Sequence, residues 1–184
     1  MENMSTLQQL EEQVLSFVPA QQHDVFAIEA IKEAISAAKN GNFGVGAILV
    51  DNESGEIAYR GQNKVFSESR SDLHAEMDLL DTFEVYNKGA SRAMLQKYTL
   101  YTSLESCPMC LCRIITSGVP TVYHIADDEF GGMVHLFGQL PPVWQDIAKG
   151  RKFAKANCSS VLSKIAEQVF VATAGLDDKL ASAT

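Results

Sequence analysis

Three side chains that metal ions prefer as ligands stand in two short motifs of this sequence. His74 opens a His-Ala-Glu motif, and about 30 residues later Cys107 and Cys110 frame a Cys-Pro-Met-Cys motif. One imidazole and two thiolates suit Zn²⁺, and three protein ligands leave the fourth tetrahedral position open to water, as in catalytic zinc sites. A fold that uses this ligand set must bring two distant segments of the chain to one point.

The carboxylate of Glu76 stands two residues after His74. Residues at that spacing point to nearly opposite sides of a regular helix, so both reach one metal only if the metal lies over the first turn. In that geometry Glu76 is not a ligand. It is a candidate proton carrier beside a water whose pKa zinc lowers toward 7.

Two other interpretations of the cysteine pair remain open at this stage. A Cys-x-x-Cys motif alone also fits a redox dithiol, which predicts no stoichiometric metal. It fits equally a zinc site in a binding module that has no catalytic activity. The upstream His-Ala-Glu motif favours the catalytic zinc site over both alternatives.

The charge balance of the chain is acidic. Its 184 residues carry 15 Lys and Arg against 23 Asp and Glu, a formal net charge of −8. A polyanion is a poor electrostatic partner for such a chain, so a small molecule is expected as the partner and nucleic acid is not. The one basic patch that could meet RNA consists of Lys149, Arg151, Lys152 and Lys155.

Targeting signals are not apparent in the sequence. The first 30 residues contain no Lys or Arg, so the basic region of a signal peptide is missing. The longest apolar runs fall short of the roughly 20 residues that span a bilayer. A cytoplasmic location without membrane contact is therefore expected.

Hydrophobic periodicity predicts alternating helices and strands. We expect an α/β fold organised as an N-terminal helical extension, one main domain and a flexible C-terminal tail, at 1–22, 23–175 and 176–184. The predicted helices cover 5–17, 23–39, 74–83, 107–117 and 158–173, and the predicted strands lie in 44–50, 56–60, 98–103 and 120–125. The segment between the last predicted strand and the last predicted helix contains one Gly-Gly pair and one Pro-Pro pair and is expected to be rich in loops.

The two motifs together resemble the zinc-dependent cytidine and deoxycytidylate deaminase superfamily. The form Glu-Ser-Cys-Pro-Met-Cys, at 105–110, is most similar to the branch that contains guanine deaminase and tRNA adenosine deaminase. The resemblance covers roughly Ile28 to Phe170. Ser106 departs from it, because the family usually has proline just before the first cysteine.

This resemblance implies a three-layer α/β/α sandwich with a central mixed sheet, one Zn²⁺ per chain and a homodimer. It implies a hydrolase that removes an exocyclic amine from a nucleobase or nucleoside as ammonia. The acidic charge favours a free purine such as guanine, and tRNA adenosine deamination is the alternative. By resemblance Asn63 holds the base, Phe43 stacks against it, and Asp128 binds or protonates it.

Overall fold

The structure is a computed structural model that describes residues 2–88 and 91–176. Its helices are α1 (Glu2–Ser16), α2 (Asp24–Lys39), α3 (Ala75–Tyr86), α4 (Ser91–Met94), α5 (Pro108–Ser117), α6 (Pro142–Ile147) and α7 (Ser160–Val171). Its strands are β1 (Gly46–Asp51), β2 (Ile57–Gln62), β3 (Tyr98–Leu104), β4 (Thr121–Ala126) and β5 (Lys152–Lys155). Within these two ranges, no helix is both long enough and apolar enough to cross a membrane.

The five strands form one mixed sheet in the order β2-β1-β3-β4-β5. Strand β1 runs antiparallel to both neighbours, while β3, β4 and β5 are parallel. Side chains alternate between the two faces of a strand. Ile48 and Val50 pack with α1, α2 and α7, whereas Ala47 and Leu49 pack with α3 and α5. Helices thus cover both faces, and the predicted three-layer α/β/α sandwich is confirmed.

Helix α1 shares the core on the α2 side of the sheet. Its apolar residues Leu7, Leu10 and Val14 are buried in the same cluster as side chains of α2 and α7. The division into an extension, a main domain and a tail stays a prediction. Of the predicted tail, residues 177–184 lie outside the described part of the chain.

The segment expected to be loop-rich contains regular structure as well. Helix α6 and strand β5 both lie there, and β5 pairs in parallel with β4 at the edge of the sheet. The strand was not predicted, because it has only four residues and a lysine at each end and so lacks a clear apolar pattern. Charged residues are common on edge strands, where one side of the backbone has no partner strand.

A glycine on β2 allows α3 to lie close against the sheet. A Cβ atom at Gly61 would overlap the carbonyl oxygen of Ala75 and the side chain of Leu79. Only glycine fits this approach, since any other residue would push the helix away. The contact fixes the first turn of α3, which directly follows His74.

The carboxylate of Asp24 joins α2 to α7. It is fully buried and accepts hydrogen bonds from the backbone amides of Ala20, Gln21 and Ser159 and from the Ser159 hydroxyl. Burial raises the pKa of Asp24, but these donors lower it by more, so the pKa lies below its usual value. The charged form is therefore the one that stabilises the fold.

We expect Asp24→Ala to lower the free energy of unfolding by about 3 kcal/mol, since it removes several hydrogen bonds to a buried charge. The contribution of Asp24 is present above its unfolded pKa of about 3.9 and disappears as the pH falls through its lower folded pKa. Urea unfolding at pH 7 measures the loss, with the exposed residue changed in Glu53→Ala as the control. Equal stability of the two variants would contradict this role.

Candidate active site

The three predicted metal ligands meet beside the carboxyl end of β3. His74 immediately precedes α3, Cys107 immediately precedes α5, and Cys110 lies in the first turn of α5. The Nδ1 atom of His74 lies 3.6 Å from Cys107 Sγ and 3.5 Å from Cys110 Sγ. The three ligand atoms all lie within 4.8 Å of one another.

This donor set fits a tetrahedral zinc ion. Zinc lies about 2.0–2.1 Å from a histidine nitrogen and about 2.3 Å from a thiolate sulfur, which places the two donors about 3.6 Å apart at the tetrahedral angle. The observed nitrogen-to-sulfur distances match that spacing. The ligand atoms are thus already arranged to hold the ion.

The electrostatics of the site favour thiolate. A hydrogen bond from Cys110 lowers the pKa of Cys107 to about 4, and His74 contributes in the same direction. The pKa of Cys110 is raised, because its thiol takes part in this hydrogen bond with Cys107 and because it is buried. Cys107 is therefore the thiol that ionises more readily, and a zinc ion held here would favour the thiolate form of both cysteines.

Glu76 lies beside the ligands in a buried position. Only 3% of the residue is exposed, and its Oε1 accepts hydrogen bonds from Ser106 Oγ at 2.8 Å and Thr102 Oγ1 at 3.4 Å. Burial raises the pKa of Glu76, and the nearby Cys107 thiolate raises it further. A carboxyl group with a raised pKa is suited to exchange protons near neutral pH.

The site opens into a cavity of about 370 Å³. All seven residues singled out by the sequence analysis line it: Phe43, Asn63, His74, Glu76, Cys107, Cys110 and Asp128. Phe43 packs against Phe66 and Phe170, with ring centroids 4.9 and 6.3 Å away. The structure thus gathers the predicted residues around one volume, and their roles there remain proposals.

Asn63 combines a local structural contact with a position on the cavity wall. Its Oδ1 accepts a hydrogen bond from the backbone amide of Val65 at 3.2 Å. Its Nδ2 donates to no residue of the described chain and is therefore available to a ligand.

Asp128 contributes to both the cavity and a loop. Its Oδ1 accepts hydrogen bonds from the amides of Phe130 and Gly131, which stabilise the turn at the cavity rim. The loop is anchored at its base by Glu105, whose carboxylate accepts hydrogen bonds from the amides of Asp128 and His135. Asp128 therefore has a structural role whether or not it touches a substrate.

Three residues around the cavity were not assigned a site role from the sequence. Glu105 stands inside the cysteine motif, but only the structure shows that it anchors the rim loop. Thr102 and Ser106 hold Glu76 from β3 and from the loop that follows it. Ser106 carried one signal, because it departs from the family pattern.

The comparisons with known proteins agree with this geometry. The sequence pattern described as the cytidine and deoxycytidylate deaminase zinc-binding region matches residues 20–126. The tRNA-specific adenosine deaminase of Bacillus subtilis is 40% identical over 111 residues, which cover 60% of this chain and 66% of that protein, just under two thirds of its length. The tRNA-specific adenosine deaminase of Aquifex aeolicus is 31% identical over 147 residues, covering 77% of this chain and 91% of that one.

A solved structure is similar as well. The guanine deaminase of Bacillus subtilis is 26% identical with a TM-score of 0.54, and the match covers 66% of this chain and 78% of that one. The fold, the ligand set and the matching sequence pattern all point to one family. The chain belongs to the cytidine and deoxycytidylate deaminase zinc-binding family, and zinc is its expected metal.

The expectation that nucleic acid is not a partner is wrong, because both similar relatives are named as deaminases of tRNA. Net charge is a sum over the whole surface, and it does not describe the surface beside one site. Glu29 and Glu33, for example, are both paired with Arg60 on β2. A second cavity next to the active site is lined by residues of both charges: Lys155, Lys164, Asp127, Asp128, Glu129 and Glu167.

We expect the purified chain to contain one zinc ion, and Cys107→Ser to lose most of it, because a serine hydroxyl does not replace a thiolate ligand. Cys112→Ser is the matched control and should keep the ion. Elemental mass spectrometry of both variants measures the zinc content. Full zinc in the Cys107 variant would refute the ligand set.

Proposed function

We propose that this protein is a tRNA adenosine deaminase, which converts adenosine within tRNA to inosine. The similarity to two tRNA-specific adenosine deaminases, one of them along 91% of its length, carries the proposal. The His, Cys and Cys ligand set beside a buried Glu76 supplies the chemistry that such a reaction needs. A polynucleotide substrate replaces the free purine that the acidic net charge favoured.

The reaction replaces the exocyclic amine of adenine with oxygen from water. His74, Cys107 and Cys110 would hold zinc, which would activate a water at neutral pH. Glu76 takes one proton from that water as its oxygen bonds to the ring carbon, and gives this proton to the adjacent ring nitrogen. It then carries the remaining proton of the added water from the new hydroxyl group to the amine, the carbon–nitrogen bond breaks, and ammonia leaves while the oxygen stays on the ring.

The surroundings of the cavity support a substrate larger than one base. A second cavity of about 350 Å³ adjoins the first and shares Leu104, Asp128 and Phe170 with it. Phe130 on its wall is fully exposed, and exposed aromatic rings stack with unpaired RNA bases. Four acidic residues share this wall with Lys155 and Lys164, and Lys155 is paired with Asp127, so the wall supports contact with a base more than contact with phosphate.

A free guanine base is the second candidate substrate. The fold and 26% identity shared with a guanine deaminase favour it, and the 370 Å³ cavity alone accommodates a purine. Guanine and tRNA deamination use the same ligand set and the same proton carrier. The two candidates are therefore separated by substrate and not by mechanism.

The deciding experiment offers the zinc-loaded full chain unmodified tRNA transcripts, free adenosine, guanine and cytidine. We expect inosine in tRNA, detected by mass spectrometry of the digested RNA, and no ammonia from the free compounds. Ammonia from guanine alone would favour the second candidate. Inactivity on every substrate with zinc still bound would indicate a binding module.

We expect Glu76→Gln to reduce turnover by at least about 100-fold while zinc content and unfolding temperature stay unchanged, because an amide cannot carry the proton. Glu53→Gln, on the exposed turn between β1 and β2, should retain full activity. Single-turnover kinetics on tRNA measure both variants. Full activity of the Glu76 variant would remove Glu76 from the mechanism.

The amide group of Asn63 should bind the base. Asn63→Ala and Asn63→Asp both remove the Nδ2 donor, but only the second keeps the acceptor for Val65. We expect both to raise KM for tRNA about 10-fold or more, since a site polar group and its ligand lose a hydrogen bond. If Asn63→Asp keeps the wild-type KM, Asn63 only stabilises the turn.

A further inference from the structure

Ser106 is the residue at which the cysteine motif departs from its family, and it touches the proton carrier. Its hydroxyl donates a hydrogen bond of 2.8 Å to Glu76 Oε1, and only 1% of the residue is exposed. Proline at this position has no side-chain donor. The contact is therefore a property of this chain and not of the usual motif.

The backbone holds Ser106 in place independently of Glu76. Its carbonyl oxygen accepts a hydrogen bond from the amide of Met133 at 2.9 Å, and the preceding Glu105 amide donates to the carbonyl of Ala126 at 2.9 Å. The hydroxyl of Ser106 thus projects from a fixed point. Its partner Glu76 sits on a different element, α3, and the bond links the two segments that carry the metal ligands.

We propose that Ser106 is a positioning residue, whose hydroxyl fixes the orientation of the Glu76 carboxyl group beside the metal ligands. The inference rests on the proposed function, in which Glu76 is the proton carrier. It adds the residue that orients this carrier.

This role follows from the hydrogen-bonding capacity of the two groups. The last torsion of a glutamate side chain is broad, so a buried carboxyl group needs a partner to hold one orientation. Oε1 accepts the Ser106 hydroxyl both as part of a carboxylate and as the carbonyl oxygen of a carboxylic acid. The contact therefore holds the carboxyl group in one orientation in both protonation states.

Thr102 does not replace this contact. Its hydroxyl lies 3.4 Å from the same oxygen, at the outer limit of a hydrogen bond. Removal of the Ser106 hydroxyl leaves the Glu76 carboxyl group with this weak hydroxyl donor, its own backbone amide and the side chain of the ligand Cys110. The carboxyl group then rotates more freely, and fewer encounters present it to the water and the ring nitrogen.

The kinetic test compares Ser106→Ala, Ser106→Thr and Ser117→Ala in the zinc-loaded full chain on tRNA. We expect Ser106→Ala to lower kcat about 10- to 100-fold with KM within about 2-fold of wild type, the effect of one hydrogen bond to a charged group. Ser106→Thr keeps a hydroxyl and should restore most of kcat. Ser117→Ala removes another buried serine hydroxyl, one bonded to a backbone carbonyl, and should match wild type.

The spectroscopic test needs no substrate. Infrared difference spectra between wild type and Glu76→Gln identify the carboxyl stretch of Glu76. In Ser106→Ala this band should shift, because the carboxyl group loses the 2.8 Å hydrogen bond from Ser106, while zinc content and unfolding temperature stay unchanged. The shift reports on the hydrogen bond even if Ser106→Thr fails to fold.

The outcomes separate the two proposals. An unchanged kcat in Ser106→Ala, or an unmoved Glu76 band, overturns the role of Ser106 and leaves the deaminase proposal standing. A loss that appears equally in kcat, KM and zinc content shows a structural role and also overturns it. A wild-type protein inactive on all substrates refutes the proposed function, and in that case the band still decides whether Ser106 orients Glu76.

Discussion

The N-terminal ends of two helices meet in this protein, and the site depends on that contact. His74 and Cys107 are the extended residues immediately before α3 and α5, and each presents its side chain where backbone amides of a first helical turn lack partners. The positive ends of two helix dipoles therefore face the thiolates. The sheet sets the meeting point, since β3 ends there and Gly61 on β2 lets α3 lie close enough.

Much of the site could be predicted because its ligands lie in two short motifs. The spacing within each motif sets the local geometry, and the interval of about 30 residues is spanned by α3, the short helix α4 and β3. The other residues that line the cavity could not be predicted in this way. Phe170 comes from the last helix, and no local pattern distinguishes a residue that lines a cavity from one that packs in a core.

The fold was predicted from periodicity where the elements are long and amphipathic. Helices α2 and α7 and the central strands carry clear apolar patterns, whereas β5 has four residues and a lysine at each end. Its position is fixed by pairing with β4 and not by its own composition. The net charge led to a wrong prediction about nucleic acid for a related reason. A sum of charges over all residues does not describe how those charges are arranged in space.

Glu105, Ser106 and Cys107 are consecutive, and each serves a different part of the site. Glu105 anchors the rim loop between Asp128 and His135, Ser106 contacts the proton carrier, and Cys107 belongs to the ligand set. The loop that forms one wall of the cavity is thus held by Glu105, which directly precedes the two residues that contact the proton carrier and bind the metal. An exchange of that loop between relatives must therefore carry Glu105 along, because a loop without this anchor loses the two amide contacts that hold it at the rim of the cavity.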